Sequence, residues 1–229
     1  MWRYVLDMPS YVDIHTHAFP VEGGSAHRIF RAFHQEEQQA LAGYAGECSV
    51  GLHPWFLSPG NMQAQWSWLE AALDLPNVRM LGEAGLDLLR GPELEFQQFC
   101  FEKQLRWASE KGKPVVIHCV RAFEALKTCV KEAEPKVPLI LHGFNRSEKV
   151  LASLLPMGYL FSFGAALCRE GHPVSQTIRS VPRDRLFLET DDSGLAIEVI
   201  YEKAAEILAL PLKELKEQVW ENSIKIGIL

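Results

Sequence analysis

Short apolar segments alternate with longer amphipathic segments along nearly the whole chain, and this alternation restricts the possible folds more than any other sequence feature. The apolar segments have few charges, and several follow a proline or glycine, which is typical of strands. Seven strands are predicted, at residues 11–15, 48–51, 78–81, 114–118, 139–142, 159–163 and 186–189. The amphipathic segments predict helices at residues 26–41, 62–75, 93–111, 122–134, 147–155, 196–208 and 212–226.

Regular alternation of strands and helices indicates parallel strands covered by helices. An eighth strand is not obvious, although residues 2–6 could supply a flanking one. The length of 229 residues suits one sizeable core, since α/β barrels of roughly 200–250 residues are routine. We therefore predict an α/β fold, a TIM-type barrel of seven to eight parallel strands, with residues 1–229 in a single domain.

Polar side chains that can bind metals fall at or just past the ends of six predicted strands. In a closed parallel barrel these ends form one rim, where the active sites of such barrels lie. An open sheet would spread the same groups along an edge, so their placement favours a closed barrel. The six residues are His17, His53, Glu83, His118, His142 and Asp191.

Composition narrows the class and location of the protein. Five scattered cysteines, odd in number and without a CxxC pair, indicate a reducing compartment and predict a cytoplasmic location. No apolar run approaches the roughly 18 residues of a membrane span, and no signal peptide is evident. The net charge of −6 is not that of a dedicated nucleic-acid binder, although a basic groove or bound metals could still receive phosphates.

The segment from Asp13 to His17 carries the most chemical information. Because side chains alternate along a strand, Asp13, His15 and His17 are expected on one face. The two imidazoles could bind one metal, with Asp13 as a hydrogen-bonding partner behind them. The alternative is two unrelated histidines on a partly buried strand.

Three further residues follow the same pattern. Glu83 lies in a glycine-rich segment that we interpret as a turn, and its two oxygens could bridge two metals. An acidic residue in such a turn is also commonplace. His118 and His142 each end an almost purely apolar strand. One such histidine is usually a core residue, but two in succession favour a site.

Asp191 follows an apolar strand and lies two residues after Glu189, so both carboxylates share a face. Asp191 could cap the next helix, although Asp192 is available for that role. Four histidines, one glutamate and one aspartate suit Zn²⁺, Mn²⁺, Fe²⁺ or Mg²⁺. Since six donors exceed the needs of one tetrahedral ion, the set predicts one or two divalent ions, with two favoured.

These motifs resemble those of the TatD family of metal-dependent hydrolases, in the amidohydrolase superfamily. The resemblance extends in sequence order over almost the whole chain. It rests on Asp13 to His17, Gly51-Leu52-His53-Pro54, Gly82 to Asp87, a helix with Gln97, Phe101, Gln104, Leu105 and Ala108, Pro114 to His118, His142-Gly143-Phe144, Leu188-Glu189-Thr190-Asp191, and Asn222.

The resemblance implies a distorted TIM barrel with one or two divalent metals. One metal would be held by His15, His17, Glu83 and Asp191, and the second by Glu83, His118 and His142. Asp191 would also orient or deprotonate the attacking water. His53 would lie beside the substrate without being a primary ligand.

The chain departs from the family where substrate is contacted. The usual His-x-Arg-x-Ala motif has Val120 at the arginine position, with Arg121 displaced by one residue. His-Pro-His becomes His53-Pro54-Trp55, and the long loop that usually follows Glu-Thr-Asp is missing. The metal-binding residues are thus kept while the substrate loops are altered.

The sequence therefore predicts a metal-dependent hydrolase that uses a metal-bound hydroxide, with Asp191 and Glu83 as catalytic residues. Its substrate is a phosphodiester if the family's deoxyribonuclease activity carries over. A small amide, ester or phosphoester metabolite is the alternative, since the loop is shortened. A non-catalytic metal-binding scaffold has less support because the ligand set is complete. No membrane and no obligate protein partner are indicated.

Overall fold

The computed structural model describes residues 11–19 and 28–229. Its strands form one sheet in sequence order, and the ladders between them are parallel. The predicted TIM-type barrel is confirmed. The strands are β1 (Val12–Thr16), β2 (Arg28–Phe33), β3 (Cys48–Val50), β4 (Val78–Asp87), β5 (Val115–Val120), β6 (Leu139–Leu141), β7 (Leu160–Phe163) and β8 (Leu186–Leu188).

Six of the predicted helices agree with helices of the structure to within two residues at each end. Local signals explain this agreement. The third helix ends at Gly112, whose φ of 63° is the left-handed conformation that glycine adopts readily, and the last helix follows Pro211. The helices are α1 (Gln38–Ala42), α2 (Met62–Leu73), α3 (Leu94–Lys111), α4 (Phe123–Ala133), α5 (Glu148–Leu154), α6 (Val174–Thr177), α7 (Ile197–Leu208) and α8 (Leu212–Lys225).

The predicted helix at residues 26–41 is wrong at Arg28–Phe33, which form strand β2. Phe30, Ala32 and Phe33 are fully buried, and β2 pairs in parallel with β1. Pairing with β1 and burial of these side chains outweigh the helical tendency of the segment. Among the described residues of this segment, the α-helix is confined to α1. The eighth strand is therefore β2, whereas the flanking segment 2–6 lies outside the described residues.

The chain forms two compact units. In the described residues, the first contains 11–19, 28–31, Gly143–Gly227 and Leu229. Here β7 pairs with β8, and the chain beyond β8 pairs with β1. The Asp191 amide donates to the His15 carbonyl at 3.0 Å, and the His17 amide donates to the Asp191 carbonyl at 3.2 Å. Backbone pairing thus fixes Asp191 beside both histidines.

The second unit contains Ala32–His142 and Ile228. It includes the ladders that join β3 to β4, β4 to β5 and β5 to β6. Val115, Val116, Ile117 and Ile140 are fully buried, which explains why β5 and β6 are almost purely apolar.

The glycine-rich segment after Leu81 is part of β4 rather than the turn expected from the sequence. Gly82 and Gly85 have φ values of 143° and 151°. A Cβ at Gly85 would lie 2.0 Å from the carbonyl oxygen of His118, and one at Gly82 would lie 2.6 Å from that of Val116. Glycine is needed because β4 and β5 approach each other so closely. The same approach brings Glu83 next to His118.

Among the helices of residues 11–19 and 28–229, none is both long and apolar enough to cross a membrane.

Candidate metal centre

Glu83 is the centre of a buried cluster in the second unit. Its Oε1 lies 2.7 Å from Nδ1 of His118, 2.7 Å from Nε2 of His142 and 3.1 Å from Nε2 of His53. The four side chains expose between 4% and 10% of their surface. One carboxylate oxygen therefore faces three imidazoles at a place where water has little access.

His118 is oriented by a second carboxylate. Its Nε2 lies 3.1 Å from Oδ2 of Asp87, which also accepts a 2.6 Å hydrogen bond from the Trp55 indole. Burial raises the pKa of Asp87, but hydrogen bonds from Trp55, Leu89 and His118 outweigh it and hold the pKa below its usual value. Asp87 can therefore accept a hydrogen bond from Nε2 of His118, which fixes the ring with Nδ1 facing Glu83.

This geometry gives the cluster the donor set of a metal site. Nδ1 of His118 and Nε2 of His142 each lie 2.7 Å from one Glu83 oxygen, and Nε2 of His53 lies 3.1 Å from that oxygen and 3.3 Å from Nδ1 of His118. Shared protons can satisfy these groups, and two imidazole nitrogens with a carboxylate are also the donors that a divalent metal takes. The donor set therefore fits a divalent metal, held by Glu83, His118 and His142.

His53 differs from the other two imidazoles of the cluster. Its Nδ1 accepts a hydrogen bond from the Trp55 amide at 3.1 Å. Burial and the neighbouring His118 and His142 lower its pKa, outweighing the opposite effect of Glu83, so the ring is neutral. A neutral ring that accepts at Nδ1 carries its proton on Nε2, which donates to Glu83. This fits the predicted role beside the substrate better than that of a ligand.

A second set of ligand-type side chains lies in the first unit. Oδ1 of Asp191 is 3.7 Å from Nε2 of His15 and 3.6 Å from Nε2 of His17. Both imidazoles face one carboxylate oxygen, as strand alternation predicts. Asp191 has a φ of 52°, an uncommon conformation for a non-glycine residue. His15 is fully buried, whereas His17 and Asp191 expose 31% and 34% of their side chains.

The segment that carries Asp191 is held from behind by Asp13. The Asp13 carboxylate accepts hydrogen bonds from the Thr190 amide at 3.0 Å and the Thr190 hydroxyl at 2.6 Å. Burial raises the pKa of Asp13 to about 7, the bonds from Thr190 oppose this rise, and the charge of Glu189 adds to it. Glu189 itself is buried and accepts from the Gly143 amide at 2.5 Å.

A cavity of about 310 Å³ opens beside Asp191, within the first unit. Arg169 is a cationic residue of its lining, and Glu189, Asp191 and Asp192 are acidic ones. The remaining lining residues are Gly143, Phe144, Asn145, Gly164, Ala165, Ala166, Thr190 and Ser193. The size is at the low end of the usual range for small-molecule sites.

The sequence comparison decides the family. The model of the TatD related DNase family matches residues 21–226. The chain belongs to the TatD-related DNase family. A relative named 3'-5' ssDNA/RNA exonuclease TatD, from Erwinia amylovora, is 33% identical over 165 residues, which are 68% of this chain and 63% of that protein. The chain thus spans about 63% of the length of the curated TatD relatives that it matches.

Solved structures support the fold. A TatD homologue from Escherichia coli K12 has a TM-score of 0.81 and 22% identity, covering 96% of this chain and 98% of that one. An amidohydrolase from Burkholderia ambifaria with bound Zn has a TM-score of 0.55 and 15% identity, covering 88% of this chain and 63% of that one. At these identities, the likeness concerns the fold alone.

The predicted site residues of this TatD-family chain thus fall into two groups. Glu83, His118, His142 and His53 lie together in the second unit, and His15, His17 and Asp191 lie together in the first. Sequence reasoning gave no role to Asp87 or Trp55. Asp87 was missed because the glycine-rich segment was interpreted as a turn, whereas in the structure it lies four residues after Glu83 on the same strand. No sequence signal marked Trp55.

Proposed function

We propose that the chain is a divalent-metal-dependent hydrolase that cleaves phosphodiester bonds in single-stranded nucleic acid. The observation that carries this is the buried cluster in which Oε1 of Glu83 lies 2.7 Å from both Nδ1 of His118 and Nε2 of His142, a donor set that fits a divalent metal. Family membership and the exonuclease names of the curated relatives support the substrate class.

We further propose that the six residues predicted from the sequence are metal ligands, in the roles that the family resemblance implies. Each of the six lies within a strand of its unit or within three residues after one, and active sites of such barrels lie toward the C-terminal ends of the strands. Glu83 would then serve two ions. Nitrogen and oxygen donors without thiolate suit Zn²⁺ or Mn²⁺, and Mg²⁺ less well.

When bound, the ions would lower the pKa of water and polarise the scissile group. The protein residues have separate tasks. Asp191, part-exposed at the cavity, is positioned to accept a proton from the attacking water. His53 can donate its Nε2 proton to a substrate oxygen as well as to Glu83, because the ring is neutral and held at Nδ1 by the Trp55 amide.

The alternative substrate is a small anionic ester or amide. The cavity beside Asp191 favours this candidate, since about 310 Å³ accommodates a metabolite and Arg169 could bind its negative charge. A nuclease should degrade single-stranded oligonucleotides and bis-p-nitrophenyl phosphate, whereas a small-amide enzyme should do neither.

The deciding experiment combines metal analysis with nuclease assays. Metal per chain is measured by elemental mass spectrometry in wild type, Glu83→Ala and Asp191→Asn, with Glu124→Ala as control because Glu124 is 89% exposed. We expect one or two equivalents in wild type and the control, and loss from Glu83→Ala. Asp191→Asn should lose about 10²–10⁴-fold in turnover while retaining most metal, as expected for a general base.

Each contrary result has a defined meaning. Unchanged metal in Glu83→Ala would refute its bridging role. Metal without degradation of a single-stranded oligonucleotide, but with hydrolysis of small esters, would favour the metabolite candidate. Absence of metal after incubation with Zn²⁺ or Mn²⁺ would leave the non-catalytic scaffold.

A further inference from the structure

Trp55 lies at the exposed edge of the histidine cluster of the second unit. Its ring centroid is 4.9 Å from that of His53 and 5.6 Å from that of His118. Its indole N–H donates to Asp87, yet 39% of the residue remains exposed. The indole thus has one side on the cluster and another at the surface, at a position where the family usually has histidine.

The exposed Arg90 rests on this indole. Its Cζ lies 4.4 Å from the centroid of the Trp55 ring, in a cation–π contact. Among residues 11–19 and 28–229, no carboxylate lies within ion-pair distance of its guanidinium. Arg90 therefore forms no ion pair within the described part of the chain, and the indole that it contacts also contacts the His118 ring.

The backbone of the loop that carries Arg90 is held by the side chains of Asp87 and Gln97. Oδ1 of Asp87 accepts from the Leu89 amide at 2.7 Å and the Arg90 amide at 3.2 Å. The Gln97 side chain donates to the carbonyls of Asp87 and Arg90 at 3.0 and 3.1 Å. These bonds hold the loop rigidly, so Arg90 is placed before any ligand arrives.

Gly91 locks this loop to the segment that carries Trp55. Its φ is 90°, and a Cβ there would lie 2.3 Å from the Pro54 carbonyl oxygen. Only glycine allows such contact between the two backbones. The Trp55–Arg90 pair is thus built from two segments that are packed tightly together.

We infer that Arg90, held on Trp55, binds a phosphate group of the substrate next to the His118 side of the metal centre. A guanidinium stacked on an aromatic ring keeps its N–H edge available, and that edge matches two phosphate oxygens at once. A cationic side chain near the site favours phosphate binding, because the chain has a net charge of −6 and the site is lined by carboxylates. The inference rests on the proposed function for its substrate, which is the phosphate backbone of single-stranded nucleic acid or a smaller phosphoester.

The test compares binding of charged and neutral backbones. Fluorescence anisotropy measures the affinity of the metal-loaded protein for a single-stranded oligonucleotide and for the same oligomer with uncharged methylphosphonate linkages. We expect Arg90→Gln to weaken binding of the charged oligomer about tenfold, as loss of a charged hydrogen bond does, with little effect on the neutral one. Arg106→Gln is the matched control, since Arg106 is exposed and paired with Glu102.

Two further variants separate placement from charge. Arg90→Lys should recover only part of the affinity, because an ammonium keeps the charge but not the planar fork. Trp55→Ala should weaken phosphate binding as well, since it releases the guanidinium. Metal content must match wild type in Arg90→Gln, because Arg90 contacts none of the ligands.

Failure of this inference and failure of the nuclease proposal give different results. Equal loss of affinity for the charged and neutral oligomers in Arg90→Gln, or no loss for either, overturns the phosphate contact. If wild type does not bind the oligonucleotide, the nucleic-acid substrate is wrong. In that case the phosphate contact is tested by inhibition of p-nitrophenyl ester hydrolysis with inorganic phosphate. An inhibition constant unchanged by Arg90→Gln overturns the inference.

Discussion

The two groups of ligand-type residues differ in how tightly their own unit holds them. In the second unit, Glu83 and its imidazoles lie within 2.7–3.1 Å and are almost fully buried. In the first unit, Asp191 lies 3.6–3.7 Å from His15 and His17, beyond a normal hydrogen bond, and is one-third exposed. The first unit compensates through its backbone, which pairs Asp191 with the histidine strand.

This difference in burial and in distances suits the two groups to different tasks. A buried group linked by short contacts is held in one geometry, which suits a resident metal ion. A group with longer separations and access to a cavity can exchange water and receive substrate, which suits the proton acceptor. We therefore expect the Glu83 group to depend on packing for its stability and the Asp191 group to be dispensable for folding.

The two groups should differ most in their effect on stability when one histidine is removed from each. His142→Ala and His17→Ala should each weaken metal binding by more than the roughly 10- to 100-fold expected when only a group behind a ligand is lost. In metal-free protein, His142→Ala should also lower the free energy of unfolding by about 1–3 kcal/mol, because buried Glu83 loses a partner. His17→Ala should change it by less than about 0.5 kcal/mol.

Chelator competition measures the metal affinities, and urea denaturation in EDTA measures the stabilities. His172→Ala is the control, because His172 belongs to neither group and its ring accepts a hydrogen bond from the Val174 amide two residues on. Equal stability losses in His142→Ala and His17→Ala would contradict the comparison.

Loss of the carboxylate behind His118 should have a smaller effect. Asp87→Asn removes the ionised acceptor that fixes the His118 proton on Nε2, so metal affinity should fall roughly 10- to 100-fold. Isothermal titration with Zn²⁺ tests this, with the exposed Asp184→Asn as control. If Asp87→Asn retains wild-type affinity, the orientation of His118 does not depend on the carboxylate.

Much of the fold could be predicted from the sequence because its signals are local. Almost pure apolar strands such as β5 and β6, and helix ends such as Gly112 and Pro211, need no distant partner to be recognised. β2 could not be recognised, because Arg28–Phe33 becomes a strand only through pairing with β1. The extent of β4 was missed because glycines suggest turns, whereas Gly82 and Gly85 permit close strand contact.

The site shows the same limit. Ligand-type residues could be named from strand ends, but that they form one metal centre stays a prediction, as does the cytoplasmic location. The sequence did not indicate how His118 and His53 are oriented, since this depends on Asp87 and on the Trp55 backbone. Such contacts join residues more than 30 positions apart, or follow from loop geometry that spacing does not encode.

The last effect is a change of stability with pH and concerns Asp13, which supports the Asp191 group from behind. Its folded pKa of about 7 exceeds the model-peptide value of 3.8, so between these pH values the folded protein binds more protons than the unfolded chain. This group therefore stabilises the fold at low pH, and the stability is lost as pH rises, by up to about 1.4 kcal/mol per pH unit.

Asp13→Asn should remove that slope, because asparagine does not titrate. The side-chain amide of the variant can donate to the Thr190 hydroxyl, which in turn donates to Thr16, so the local hydrogen bonds are kept. Urea denaturation in EDTA at pH 5, 6 and 7 measures the slope. A slope equal in wild type and Asp13→Asn would show that Asp13 is ionised throughout, and that the Asp191 segment rests on a buried charge instead of a shared proton.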